Sequence, residues 1–146
     1  MPMATSMDKE IIREAYEDVR SNLTDTEWAI FKFESTEIIC AAKGNGFDEF
    51  QQQFSDSERA FGYIRIQMGD EMSKRSKFLF VTWIGPEVGV MQRAKMSTDK
   101  SIIKEIISNF AAEIQIEGDG EMDISYFKDV LNRAGGANYG TGVREI

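Results

Sequence analysis

Hydrophobic residues recur along this chain in two rhythms. Ile11, Ile12, Ala15, Tyr16 and Val19 fall at helical spacing behind Asp8, a fitting N-cap, and predict an amphipathic helix over residues 9–20. From Glu27 to Glu34 the period drops to two. Ala29, Phe31 and Phe33 share one side and Trp28 and Ile30 the other, as in a strand. Ser35-Thr36 turns the chain, and Glu37 to Ala42 pairs back as its neighbour. Beyond Gly44-Asn45-Gly46, the three- and four-residue spacing of Phe47, Phe50 and Phe54 predicts a short helix.

Two stronger strands follow. Phe61 to Met68 places Ile64, Ile66 and Met68 on one face, and Lys77 to Ile84 is apolar on both faces, as in a central strand covered above and below. Gly69-Asp70-Glu71-Met72 between them is turn chemistry and predicts a hairpin. Gly85-Pro86 then starts a helix over residues 87–110, whose buried stripe is Ile102, Ile103, Ile106, Ile107 and Phe110. Ser97-Thr98-Asp99 is poor helix interior and good cap chemistry, which predicts a kink or restart there. Ile114 and Ile116, alternating with Glu113, Gln115 and Glu117, predict a short strand. Ile124, Phe127, Val130, Leu131 and Ala134 predict a last helix that stops at Gly135-Gly136. The order αββαββαβα implies one α/β (α+β) domain over residues 8–136, with a mixed, largely antiparallel sheet between helices. Residues 1–7 and 137–146 are expected to be flexible ends.

Composition narrows the function. The 146 residues are 42% hydrophobic and 11% aromatic, ample for one packed core. A single cysteine, Cys40, permits no internal disulfide, and its apolar surroundings (Ile38 to Ala42) mark it as a packed small residue. The N-terminus has neither a basic nor an apolar segment, and no apolar run approaches a membrane span, so a cytoplasmic protein without integral membrane association is expected. There is no histidine, which removes the commonest general base and metal ligand. No catalytic constellation, metal site or cofactor motif is recognisable, and no enzyme activity is expected. Glu117 to Ile124 resembles a calcium loop only superficially. Met122 stands where the sharp-turn glycine belongs and Lys128 where the bidentate Glu belongs, leaving a solvated acidic turn. Gly44-Asn45-Gly46 is too short for a phosphate-binding loop, and Asp70-Glu71 reads as a turn.

Charge carries the sharpest signal. The net charge is −8, yet residues 73–104 hold seven cations (Lys74, Arg75, Lys77, Arg93, Lys95, Lys100, Lys104) against Glu87 and Asp99, a local balance of +5. The acidic remainder argues against nucleic acid. A basic island on such a chain can steer and orient an acidic partner. At about 100° per residue, Arg93, Lys100 and Lys104 share one helix flank. Lys95 turns toward the core of a straight helix unless the predicted break frees it.

The text around the island is recognisable. Ser73-Lys74-Arg75-Ser76-Lys77-Phe78, Thr82-Trp83-Ile84-Gly85, Gln92-Arg93-Ala94-Lys95 and Thr98-Asp99-Lys100 resemble the coactosins, members of the actin-depolymerising-factor homology (cofilin-like) domains. Asp8-Lys9-Glu10, Asn109-Phe110-Ala111 and Ala134 to Tyr139 extend the match over nearly the whole chain. The resemblance implies a five- or six-stranded sheet between two pairs of helices, the cofilin- and gelsolin-like fold. It implies a monomeric, cytoskeleton-associated protein that binds along actin filaments, binds monomer poorly, does not sever strongly and interferes with barbed-end capping. In the family the second lysine of the Ser-Lys-Arg-Ser-Lys motif is the key actin contact, here Lys77, with Lys74 and Arg75 as steering charges. The long helix after the hairpin docks on actin, here with Arg93, Lys95 and Lys100. Pro2 stands where cofilins carry a regulatory serine, and Arg93-Ala94-Lys95-Met96 departs from the pattern of strong severing members. The rival reading is a phosphoinositide-binding module using the same cations. A second protein partner on the final helix would meet Lys128 and Arg133.

Overall fold

Strands that carry apolar residues on both sides force the sheet to bury both faces. A computed structural model describes residues 4–69, 75–118 and 121–139, with side chains described as far as residue 134. Six strands line up in the order β1-β3-β2-β4-β5-β6: β1 (Ser6–Met7), β2 (Trp28–Glu34), β3 (Glu37–Gly44), β4 (Arg59–Met68), β5 (Arg75–Ile84) and β6 (Ala112–Ile116). The β2–β3, β2–β4 and β4–β5 pairs are antiparallel, while β1–β3 and β5–β6 are parallel. Helices α1 (Lys9–Arg20) and α3 (Val90–Ile103) cover one face, and α2 (Phe47–Gln51) and α4 (Ile124–Tyr139) the other.

The two faces follow the strand alternation read from the sequence. On β2, Ala29, Phe31 and Phe33 face α1 while Trp28 and Ile30 face α2 and α4. On β5, Phe78, Phe80 and Ile84 join the first core, and Leu79, Val81 and Trp83 the second. Asp8 caps α1, its carboxylate accepting from the Ile11 N–H at 3.4 Å. Arg65 closes the other end of that helix, donating to the carbonyls of Val19 (3.0 Å) and Ser21 (2.7 Å). Gly44 and Gly85 are required by close approach. A Cβ at Gly44 would fall 2.6 Å from the Trp28 ring, and one at Gly85 would fall 2.2 Å from the Asp56 carbonyl oxygen.

The structure corrects several boundaries. Residues 6–7, expected within a flexible end, form β1 by pairing with Glu37 and Ile38. The helix expected over 87–110 runs from Val90 to Ile103. Ile106 and Ile107 are still buried, but from the turn that follows the helix and the irregular segment it leads into. No break occurs at Ser97-Thr98-Asp99. Ser97 and Thr98 face solvent, and Asp99 spends its carboxylate on Arg59 rather than on the backbone. Phe54 lies beyond α2 yet still packs edge-on against Phe50 at 5.1 Å. The last helix continues through Gly135-Gly136 to Tyr139. Glycine weakens a helix interior by about 1 kcal/mol, too little by itself to stop one. Lys74, Asp70-Glu71 and the tail after Tyr139 lie outside the described residues.

Candidate functional site

The predicted cations fall into two groups that the topology separates. Lys77 sits in β5 opposite Ile66, in phase with Leu79 and Val81, and so belongs to the α4 side of the sheet. Ten residue pairs join β4 to β5, fixing the Lys77 backbone in a rigid ladder. Its side chain is half-buried and makes no hydrogen bond or ion pair among the described residues. Arg75, two residues earlier on the same face, is exposed. Lys77 lies two residues before the start of the β6 ladder, where β5 has lost its outer neighbour.

The α3 cations lie on the opposite face. The core-facing line of α3 is Met96, Asp99 and Ile103, and Arg93, Lys100 and Lys104 ride on one flank of it, as their spacing predicts. That flank overhangs β6, whose apolar Ile114 and Ile116 pack toward α4 and whose polar alternates face α3. Three rungs result. Arg93 Nη1 donates to Glu117 Oε1 at 2.6 Å, Lys100 Nζ to Gln115 Oε1 at 3.4 Å, and Lys104 Nζ to Glu113 Oε1 at 2.6 Å. Arg93 also donates to the Gly85 carbonyl at 3.2 Å. Lys95 falls on the other flank of α3, half-buried, with no polar partner among the described residues. It needed no break to escape the core, because the buried line passes through Met96 and Asp99 instead. The exposed side of α3 begins with two apolar residues, Val90 (83% exposed) and Met91 (76%), which charge-based reading passed over.

Sequence reasoning also missed the polar groups that hold the Lys77 region in shape. Tyr63 Oη donates to the Asn109 carbonyl at 2.6 Å, and Tyr16 Oη accepts from the Asn109 N–H at 3.1 Å. The Ala111 N–H then reaches the Phe78 carbonyl at 2.8 Å, aligning the chain for β6. Phe78 is stacked on Tyr63 at 5.5 Å and is covered by Arg20 (5.0 Å) and Arg65 (5.5 Å). Burial pushes the Tyr63 phenol up to about 12. The residues involved run from Tyr16 to Ala111, so only the packing of α1 on the sheet together with the pairing of β4 and β5 brings them together.

Cys40, on β3, is half-buried against the core that α1 covers, its thiol pushed up by burial, which fits a packed residue and not a nucleophile. Among the described residues no group of three or more Cys, Asp or Glu is arranged to hold a metal ion, and no helix is long and apolar enough to cross a membrane.

Residues 4–132 match the model of the cofilin/tropomyosin-type actin-binding proteins. The bovine coactosin-like protein is 44% identical over 137 residues, covering 94% of this chain and 96% of its own. The chain belongs to the coactosin family of cofilin-type domains. The crystal structure of human coactosin-like protein superposes with a TM-score of 0.86 at 41% identity, over 89% of this chain and 99% of that one. The solution structure of mouse coactosin, described as an actin filament binding protein, gives a TM-score of 0.78 at 41% identity, over 97% and 100% of the two chains. The mixed sheet between helix pairs is therefore the coactosin fold, and the basic island sits on it as two surfaces, one at the hairpin base and one along α3.

Proposed function

We propose that this coactosin-family chain is a monomeric cytoplasmic protein that binds along actin filaments through a surface centred on Lys77. Arg75 and Lys74 steer the approach, and Arg93, Lys95 and Lys100 on α3 supply a second, weaker contact. The observation that carries this reading is the state of Lys77. A half-buried ammonium on a rigid strand has no acidic partner among the described residues, in a chain whose net charge is −8. Mouse coactosin, 41% identical, is described as filament-binding, which supports the same partner here.

Attachment without strong severing or depolymerisation, and opposition to barbed-end capping, complete the proposal. The internal use of the α3 charges supports the first of these. With Arg93 held by Glu117 and Lys104 by Glu113, α3 offers an acidic partner less than its sequence promises. The reading assigns binding and no turnover. A further protein partner on α4 would meet Lys128, which is exposed, and Arg133, which is paired with Asp129 at 2.6 Å.

The test is co-sedimentation with filaments over a salt series, alongside filament-length and capped-elongation assays. Pelleting that weakens with salt is expected, because exposed charges are screened beyond about 8–10 Å, together with unchanged filament lengths and faster elongation in the presence of a capping protein. Protein that stays in the supernatant yet floats with phosphoinositide vesicles would transfer the cations to the rival reading.

A further inference from the structure

Beside Lys77 the surface dips into a hollow of about 320 Å³, where β5 runs on past the start of β6. Arg20, Ser76, Lys77, Phe78, Asn109 and Phe110 line it together with two alanines, and among the described residues no acidic one does. Arg20 comes from the last turn of α1, on the opposite face of the sheet from Lys77. The two cations can meet only because the sheet edge is uncovered there. We propose that Arg20 is a second cation of the filament site and that Arg20 and Lys77 together seat one carboxylate of an acidic side chain presented by the filament. This rests on the filament-binding reading above and adds to it a residue from outside the basic island.

Three observations support it. The guanidinium is held in place without being used up: it lies 5.0 Å over the Phe78 ring and 5.8 Å from that of Tyr16, and its one hydrogen bond among the described residues, to Tyr63 Oη, is long at 3.5 Å. Its remaining N–H groups have no partner among the described residues, so donors in a fixed fork stay available for a carboxylate. The Asn109 backbone is clamped by Tyr16 and Tyr63, leaving its exposed side-chain amide on the rim as a further donor. A hollow with two cations, one amide and no acid is complementary to an anion, and its size suits the end of an Asp or Glu side chain with a few waters.

The experiment compares Arg20→Met, Arg20→Lys, Lys77→Ala and the Arg20→Met/Lys77→Ala double variant in filament pelleting over a salt series, with thermal melting of each. Arg20→Met keeps an apolar stem over Phe78 and should weaken binding about three- to ten-fold with a shallower salt dependence. Arg20→Lys should recover most of the affinity. The double variant should bind little worse than Lys77→Ala, since both charges serve one carboxylate. Wild-type binding by Arg20→Met beside weak binding by Lys77→Ala would overturn this inference and leave the filament site standing. Wild-type binding by Lys77→Ala would overturn the site itself. Equal losses in Arg20→Met and Arg20→Lys, with unchanged salt dependence and lowered melting, would assign Arg20 a purely structural role. If Arg20→Met bound filaments normally but lost binding to phosphatidylserine vesicles, the hollow would be a phosphate site instead.

Discussion

Arg59 Nη1 donates to Asp99 Oδ2 at 2.6 Å, joining the first residue of β4 to the middle of α3 inside the core. Asp99 is 1% exposed and Arg59 9% exposed, and the guanidinium also lies 3.9 Å from the Phe33 ring centroid. This pair is the reason α3 passes unbroken through Ser97-Thr98-Asp99. A carboxylate that caps nothing and points inward can remain in a helix if a buried cation meets it. Removing one member leaves the other charged and unpaired. Asp99→Ala should therefore cost about 3–5 kcal/mol in urea unfolding. The double replacement Arg59→Met/Asp99→Leu should recover much of that loss, and a double variant less stable than Asp99→Ala would contradict this account of the pair.

The ladder between α3 and β6 makes the opposite kind of prediction. Its ion pairs are solvent-accessible, with Arg93 and Glu117 at 35% and 49% exposure, so each contributes at most about 1 kcal/mol to stability. Yet each acid masks a cation. Glu113→Gln/Glu117→Gln should unfold at nearly the wild-type urea midpoint while pelleting with filaments a few-fold more tightly at low salt. Unchanged or weaker pelleting would show that the α3 flank does not face the filament.

Backbone proximity separates two glycines. A methyl at Gly85 meets the Asp56 carbonyl at 2.2 Å and the Ser55 carbonyl at 2.6 Å, neither of which can swing aside. Gly85→Ala should lose roughly 1–3 kcal/mol or more. Gly118→Ala, with nothing among the described residues within 4 Å, should stay within about 0.5 kcal/mol of wild type. Thermal melting compares them directly.

Alkaline pH should loosen the clamp around Asn109. Burial raises the Tyr63 phenol from 10.0 to about 12 in the folded state, so above pH 10 the unfolded chain loses that proton first. The folded state then binds more protons than the unfolded, and stability falls with rising pH. The contribution is whole below pH 10 and is lost as the pH climbs toward 12, on the order of 2–3 kcal/mol in all. Unfolding free energies measured from pH 9 to 12, with phenolate absorbance followed in parallel, check this. Tyr63→Phe should flatten the slope.

Most of the fold was legible in the sequence because its information is periodic. The two-residue phasing of β2, β4 and β5 and the helical spacing in α1 report directly which residues share a face. The boundaries of α3 were not legible, because Ile106 and Ile107 continue the apolar pattern after the hydrogen-bonded helix has ended. Asp99 misled for a related reason: cap chemistry is local, and Arg59, its partner, is forty positions away. The cations themselves were easy to find. Which of them were already spoken for by β6, and that Arg20 reaches the Lys77 hollow, depends on strand register and on where β6 begins, and no spacing of charges along the chain records either.

The central claim is that Lys77 is the principal contact with the filament. Lys77→Ala and Lys95→Ala should be pelleted with actin filaments at matched, near-physiological salt, after melting curves show both folded. The account predicts that Lys77→Ala remains largely in the supernatant, its affinity reduced about ten-fold or more, while Lys95→Ala loses only a few-fold. Pelleting of Lys77→Ala at the wild-type level would contradict it.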